Sequence, residues 1–100
     1  MSKRLTIHDI LSKKGKVKIV MLTCYTAQMA KILDNHIDIL LVGDSLGMTI
    51  YGHHNTLSVT KRMMIDHGTC VVSNSNKALV VVDMPFGTYE ESKNLAFNNL

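Results

Sequence analysis

The sequence predicts an α/β protein built around a parallel β-sheet. Short apolar runs at residues 17–23, 39–42 and 78–82 alternate with segments in which apolar residues recur at helical spacing. An unbroken apolar run is typical of a strand that is buried on both faces of a parallel sheet. Alternation of such runs with helices over short linkers indicates repeated strand–helix units rather than hairpins.

Composition limits the class of protein. A hydrophobic content of 46% and a mean hydropathy of +0.11 exclude a disordered chain, and 100 residues are enough for one small domain. The net charge of +3 is local, because six of the eleven Lys and Arg residues lie in the first 18 positions. We therefore expect no nucleic-acid partner.

The sequence also bears on location. It has no apolar run near the ~18 residues that a membrane span needs, and no signal-peptide core follows the basic N-terminus. We expect a cytoplasmic protein with no membrane partner. Cys24 and Cys70 lack the spacing of metal ligands, and each is predicted to be a small buried core residue.

Capping signals mark where the helices begin and end. Thr6-Ile7-His8-Asp9 matches a capping box and predicts an N-terminal helical segment, residues 1–16, stopped by Gly15. Residues 17–100 are then predicted to form three strand–helix units. Their helices are expected from Tyr25 or Thr26 to about Asp34 with Asn35 as a left-handed stop, after Thr60, and from Glu90.

The connection after the second strand, from Gly43 to Val59, is predicted to be a long loop. Such connections usually need about 2–6 residues, so the extra length suggests a function. A phosphate-binding loop is rejected, because the stretch has neither GxGxxG nor GK[ST] and contains an acid. The alternative to a functional loop is an ordinary acidic turn after a strand. The stretch alone does not decide between these two interpretations.

Two acids follow strands directly. Asp44 comes after the second strand and Asp83 after the third, and the carboxyl ends of parallel strands share one edge, where α/β proteins build their sites. If the two strands are neighbours, about 4.8 Å apart, both carboxylates can bind one Mg²⁺. The alternative is two unrelated acidic turns.

Other polar residues near this edge suggest weaker candidates. Ser45 has no His–Asp partner set in view, which favours a ligand-binding hydroxyl over a nucleophile. His53 and His54 are adjacent and point opposite ways in an extended chain, so we do not expect them to share a metal. His67 lies on an apolar helix face and is interpreted as a hydrogen-bonded core histidine rather than a ligand.

Three collinear runs carry a family resemblance. They are LVGDSLGMT at residues 41–49, Tyr51-Gly52-His53 with Thr56-Leu57, and VDMPFG at residues 82–87. The chain resembles the ketopantoate hydroxymethyltransferase (3-methyl-2-oxobutanoate hydroxymethyltransferase) family from about Leu5 to its end. Two departures are Thr26, where the family often has Asp, and Ser58, where it often has Pro.

The resemblance implies a (β/α)₈ barrel that catalyses the first committed step of pantothenate synthesis. It implies Mg²⁺ bound by Asp44 and Asp83, and a small 2-oxo acid contacted by Asp44, Ser45 and Asp83. It further implies 5,10-methylenetetrahydrofolate as the one-carbon donor and a homo-oligomer for the full-length family.

The same resemblance places the family's glutamate base, its substrate-binding lysine and a further metal-shell glutamate beyond the third strand–helix unit. Glu90 and Glu91 match neither glutamate by motif. We therefore expect residues 1–100 to be the N-terminal part of the barrel, apparently truncated, with no catalytic base and no activity alone. A complementing C-terminal fragment is a conceivable partner.

Two other hypotheses stay open on sequence grounds. The chain can be a non-catalytic relic or an assembly module of a split enzyme that keeps only the fold. It can also be another metal-dependent 2-oxo-acid barrel, similar to phosphoenolpyruvate mutase and isocitrate lyase, although the VGDSLGM run argues against this.

Overall fold

A computed structural model describes residues 3–100, so the predicted segment 1–16 begins outside the described residues. Its centre is a parallel sheet of three strands, β1 Met21–Thr23, β2 Ile39–Val42 and β3 Leu79–Val82, in the order β1-β2-β3. Met21 pairs with Ile39, which pairs with Leu79. The predicted α/β class with a parallel sheet is confirmed.

In the described part of the chain, five helices accompany the strands: α1 Ile7–Ser12, α2 Ala27–Leu33, α3 Leu46–Thr49, α4 Lys61–Ser73 and α5 Lys93–Asn99. The side chains of Thr6, Thr26 and Thr60 accept hydrogen bonds from amides in the first turns of α1, α2 and α4. These contacts satisfy donors that have no partner within a helix, which is why each helix begins there. Thr26, one of the two departures from the family, therefore caps α2.

Several predicted boundaries were wrong. The first strand was expected over residues 17–23 but begins at Met21, because β2 begins opposite at Ile39. The fourth helix was expected from Glu90 but begins at Lys93 after its N-cap Ser92. Glu90 instead lies in the preceding turn, where its carboxylate accepts a hydrogen bond from the Gly87 amide at 2.8 Å.

Three local predictions also need correction. The stretch after β2 contains a short helix, α3, rather than loop alone. Asn35 is not a left-handed stop, because among residues 3–100 only Gly15, Gly52 and Gly87 have a positive φ. Cys24 is buried as expected, but Cys70 is exposed.

The core lies between the sheet and the helices. Leu40 and Val42 of β2 are fully buried, and α2 packs on α4, which packs on β2 and β3. Other strand residues are open: Met21 is 52% exposed and Leu22 45%. No helix within residues 3–100 is long and apolar enough to cross a membrane.

The amino edge of the sheet is bound together by charged side chains. Asp34 accepts hydrogen bonds from the amides of Asn76, Lys77 and Ala78 just before β3. Asp38 accepts from the Val20 amide and pairs with Lys13 at 3.1 Å. Arg4 donates to Ser75 O and Ala78 O, each at 2.7 Å, and so joins the end of α4 to β3.

Candidate functional site

All three strands end at one edge, the carboxyl edge, and polar residues follow each of them. Backbone pairing continues past the strands, since the Cys24 amide donates to Leu41 O at 2.8 Å and the Asp83 amide donates to Val42 O at 3.0 Å. Tyr25, Asp44 and Asp83 therefore emerge together. The expectation that the second and third strands are neighbours is confirmed.

Asp44 and Asp83 are joined by a direct hydrogen bond. The Asp44 amide donates to Asp83 Oδ2 at 3.0 Å, and both residues are half-buried. This bond orients the Asp83 carboxylate toward the turn that carries Asp44. Within the described part of the chain, the Asp44 carboxylate makes no hydrogen bond or ion pair, so it remains available to a ligand.

Gly43 makes this close arrangement possible. A Cβ at this buried position would lie 3.3 Å from Ser45 Oγ and 3.4 Å from Asp83 Oδ2. The first contact is tighter than ordinary van der Waals packing, so a side chain here would push Ser45 away from the turn. Glycine therefore suits this position, because the polar groups of Ser45 and Asp83 both approach its backbone.

Ser45 is held by a residue that sequence analysis did not select. It occupies the N-cap position of α3 without capping it, and its Oγ lies 2.6 Å from the hydroxyl of Tyr25. Tyr25 is only 8% exposed. A tyrosine two residues after the first apolar strand, at the same edge as two acids, was the available signal.

His67 supports Tyr25 from α4. Its Nδ1 lies 2.6 Å from Tyr25 O, and its Nε2 lies 2.9 Å from the Tyr51 hydroxyl. A carbonyl only accepts, so Nδ1 carries a proton, and in the singly protonated form of the ring Nε2 can accept from the Tyr51 hydroxyl. His67 is hydrogen-bonded, as interpreted, although it is half-buried rather than part of the core; that it is not a ligand stays a prediction.

The segment after Ser45 is packed tightly against the following chain. A Cβ on Gly47 would lie 2.5 Å from Val59 Cγ2, so only glycine lets α3 approach this residue. The His53 ring stacks on Tyr51 with centroids 6.3 Å apart. The Gly47–Val59 approach packs α3, which begins directly after Ser45, against the chain that leads to α4.

The donor set at this edge suits a hard cation. Residues 3–100 contain no group of three or more His, Cys, Asp and Glu side chains that could hold a metal ion. Mg²⁺, however, is commonly bound through one or two carboxylates, with water and substrate supplying the remaining oxygens. Asp44 and Asp83 fit that mode, and His53 and His54 are not needed for it.

Cys24 is the nearest thiol along the chain to this edge. Burial raises the pKa of its side chain, so the thiol stays protonated at neutral pH. A protonated thiol is a poor nucleophile. The chemistry of this edge therefore depends on oxygen groups: two carboxylates and the linked hydroxyls of Ser45 and Tyr25.

The fold and site together define a class: a protein of parallel strand–helix units with a carboxylate and hydroxyl site at the carboxyl edge. Residues 4–100 match the model of the family described as ketopantoate hydroxymethyltransferase. The chain belongs to this family of transferases, as the resemblance predicted.

Individual relatives agree with that placement. The 3-methyl-2-oxobutanoate hydroxymethyltransferase of Paramagnetospirillum magneticum is 59% identical over 97 residues, which are 97% of this chain and 35% of the relative. Those of Rhodospirillum centenum and Bartonella tribocorum are 53% and 58% identical over 98% and 99% of this chain, and 36% of each relative. The chain thus spans about a third of the length of these relatives.

Proposed function

We propose that this chain supplies the metal-binding and keto-acid-binding part of a 3-methyl-2-oxobutanoate hydroxymethyltransferase with a (β/α)₈ barrel. The reaction would transfer a hydroxymethyl group from 5,10-methylenetetrahydrofolate to 3-methyl-2-oxobutanoate and give ketopantoate for pantothenate synthesis. The hydrogen bond from the Asp44 amide to the Asp83 carboxylate carries the proposal, because it joins the two proposed metal ligands across neighbouring strands. Family membership supports it.

Each residue has a defined role in this proposal. Asp44 and Asp83 would hold Mg²⁺, and all three site residues, Asp44, Ser45 and Asp83, would contact the 2-oxo acid. When bound, the cation would supply Lewis-acid stabilisation of the enolate. The Asp44 amide holds the Asp83 carboxylate in place before any ligand arrives, which reduces the ordering that binding requires.

We assign no general base to residues 3–100. Glu90 is engaged by the Gly87 amide in its own turn, and both nitrogens of His67 have partners. One positioned base contributes about 10²–10⁴-fold to a rate. We therefore expect the purified 100-residue chain to show no folate-dependent formation of ketopantoate at a normal enzyme rate.

Cation binding tests the proposal directly. The ¹⁵N-labelled chain is titrated with Mg²⁺ in the presence of 3-methyl-2-oxobutanoate, and the amide signals of residues 43–45 and 83 are followed. Asp44→Asn should weaken Mg²⁺ binding about tenfold or more, because it removes one of two charged ligands. The matched control is Asp66→Asn on the exposed face of α4, which should leave binding unchanged.

Two results would contradict this assignment. One is saturable Mg²⁺ binding that Asp44→Asn and Asp83→Asn leave intact, which would place the cation elsewhere. The other is the absence of any response at residues 43–45 and 83 in a chain shown to be folded.

A second candidate function is an assembly module that a separate polypeptide completes. The observation that favours it is exposed apolar surface on the strands, where Met21, Leu22, Val81 and Val82 are each at least 40% exposed. We expect the chain alone to be marginally stable or oligomeric, because open strands and apolar patches pair with other chains. Sedimentation combined with urea unfolding decides this: a monomer with one sharp transition would contradict it.

A further inference from the structure

We propose that His67 is a positioning residue that orients the Ser45 hydroxyl through Tyr25. The inference rests on the proposed function to the extent that Ser45 is assigned to the keto acid. His67 lies on α4 and has no hydrogen bond to Ser45. Its effect passes through the main chain of Tyr25 at one end and the phenol of the same residue at the other.

The geometry makes Tyr25 a rigid link. Its carbonyl accepts from His67 Nδ1 at 2.6 Å, and its hydroxyl lies 2.6 Å from Ser45 Oγ. The ring between these two points is buried, so it has little room to reorient. A change in the position of the Tyr25 backbone therefore moves the hydroxyl that contacts Ser45.

The direction of the hydrogen bond between Tyr25 and Ser45 determines which group Ser45 can donate to. A serine hydroxyl has one proton and two lone pairs. If the Tyr25 O–H donates to Ser45 Oγ, the serine proton is left to donate to an oxygen of the 2-oxo acid. Ser45 is available for this because its side chain does not cap α3. In that arrangement Tyr25 sets the direction in which Ser45 donates, and His67 holds Tyr25 in place.

The other side of the imidazole is a separate contact. The Tyr51 hydroxyl lies 2.9 Å from Nε2, and the Tyr51 ring stacks on the exposed His53. This contact occupies Nε2 but does not lead to Ser45. The inference therefore predicts that the Nδ1 side of His67 matters for Ser45 and that the Nε2 side matters less.

Two substitutions separate the two sides of the ring. His67→Asn places an amide N–H close to the position of Nδ1 and keeps a donor for Tyr25 O. His67→Gln extends to the position of Nε2 and loses that donor. Cys70→Ser, an exposed change on the same helix, is the control.

The experiment is NMR of the labelled 100-residue chain at pH 8, first without ligand and then with Mg²⁺ and 3-methyl-2-oxobutanoate. We expect His67→Gln to shift the Tyr25 and Ser45 signals and to weaken keto-acid binding about fivefold to tenfold, the size of one lost hydrogen bond. His67→Asn and Cys70→Ser should stay within about twofold. Tyr25→Phe should weaken binding similarly, and adding His67→Gln to it should cause no further loss, since both act through one link.

The inference is overturned if folded His67→Gln leaves Ser45 and keto-acid affinity unchanged, or if His67→Asn is as damaging as His67→Gln. Should a variant fail to fold, the wild-type chain still decides, because a ring protonated on Nε2 with a bare Nδ1 contradicts the geometry. A folded wild-type chain that binds no keto acid refutes the proposed function instead. In that case, the ligand-free NMR chemical shifts of Ser45 in His67→Gln and His67→Asn test the connection from His67 through Tyr25 to Ser45 independently of keto-acid binding.

Discussion

The two edges of the sheet use the same kinds of side chain in opposite ways. At the amino edge, the carboxylates of Asp34 and Asp38 and the guanidinium of Arg4 are occupied by main-chain groups and by Lys13. At the carboxyl edge, Asp83 accepts one amide and the Asp44 carboxylate accepts nothing within residues 3–100.

The difference separates stability from binding. A buried charge that is fully hydrogen-bonded stabilises the fold but has nothing left to offer a ligand. A half-buried carboxylate without a partner adds little to stability, yet it can bind a cation. A charged side chain near a strand end therefore indicates a ligand-binding site only where backbone groups do not already occupy its hydrogen-bonding atoms.

The largest expected effect comes from removing the Asp34 carboxylate. Asp34→Ala would leave three amides before β3 without their acceptor. Only the Ala78 amide belongs to a buried residue, and an unsatisfied buried group costs about 1–3 kcal/mol. We expect the free energy of unfolding to fall by about 2–3 kcal/mol, measured by urea denaturation. Asp44→Ala at the opposite edge, without metal, should change it by less than about 0.5 kcal/mol.

If Asp34→Ala and Asp44→Ala lowered the free energy of unfolding equally, the distinction between the two edges would be wrong. A chain that unfolds entirely with Asp34→Ala would still agree with it, provided Asp44→Ala stays folded under the same conditions. The milder Asp34→Asn, which keeps one oxygen acceptor, should fall between the two.

Acid should weaken the amino edge next. Burial opposes ionisation of Asp34, but three amides and Arg4 hold its pKa below the ordinary value, and the Val20 amide and Lys13 lower the pKa of Asp38. Both groups stabilise the fold fully above the unfolded pKa of about 3.9, and this stabilisation is lost as pH falls through their folded pKa values. Urea unfolding from pH 7 to pH 3 should show the decline below about pH 4, with a smaller slope in Asp34→Asn. An unchanged slope in that variant would assign the acid sensitivity to other groups.

The smallest expected effect is that of a charge pair at neither edge. Arg62 and Asp66 form an i,i+4 ion pair at 3.2 Å on α4, with both side chains more than half exposed. Solvent screens such pairs, which contribute about 0.3–0.5 kcal/mol. Asp66→Ala should lower the free energy of unfolding by no more than that. A loss above about 1 kcal/mol would show that the exposure of a charged side chain does not predict its contribution to stability in this protein.

The sequence predicted the features that depend on local pattern. The apolar run of β2 was found with its observed limits, and Thr6 and Thr60 were found as caps, because each signal lies within a few residues. The placement of Asp44 and Asp83 at one edge also followed, since parallel strands share an edge, and the structure met the condition that their strands are neighbours.

Features that depend on tertiary contact were not predictable in this way. β1 is shortened by where its partner strand begins. Four residues are too few for α3 to show a helical period, and one of them is Gly47. Tyr25 gains its role from Ser45, 20 residues away, and from His67, 42 residues away, and no local spacing encodes such partners. The resemblance supplied the family, while the structure supplied the hydroxyl pair.

The contact between Gly47 and Val59 has a consequence for how this sequence can change. A Cβ at position 47 would lie 2.5 Å from Val59 Cγ2. A side chain at position 47 and the valine at position 59 would therefore clash. A larger residue at position 47 requires a smaller residue at position 59 first. A smaller residue at position 59 causes no clash and requires no earlier substitution. A library that varies position 47 alone is therefore expected to yield fewer folded variants than one that also reduces the side chain at position 59.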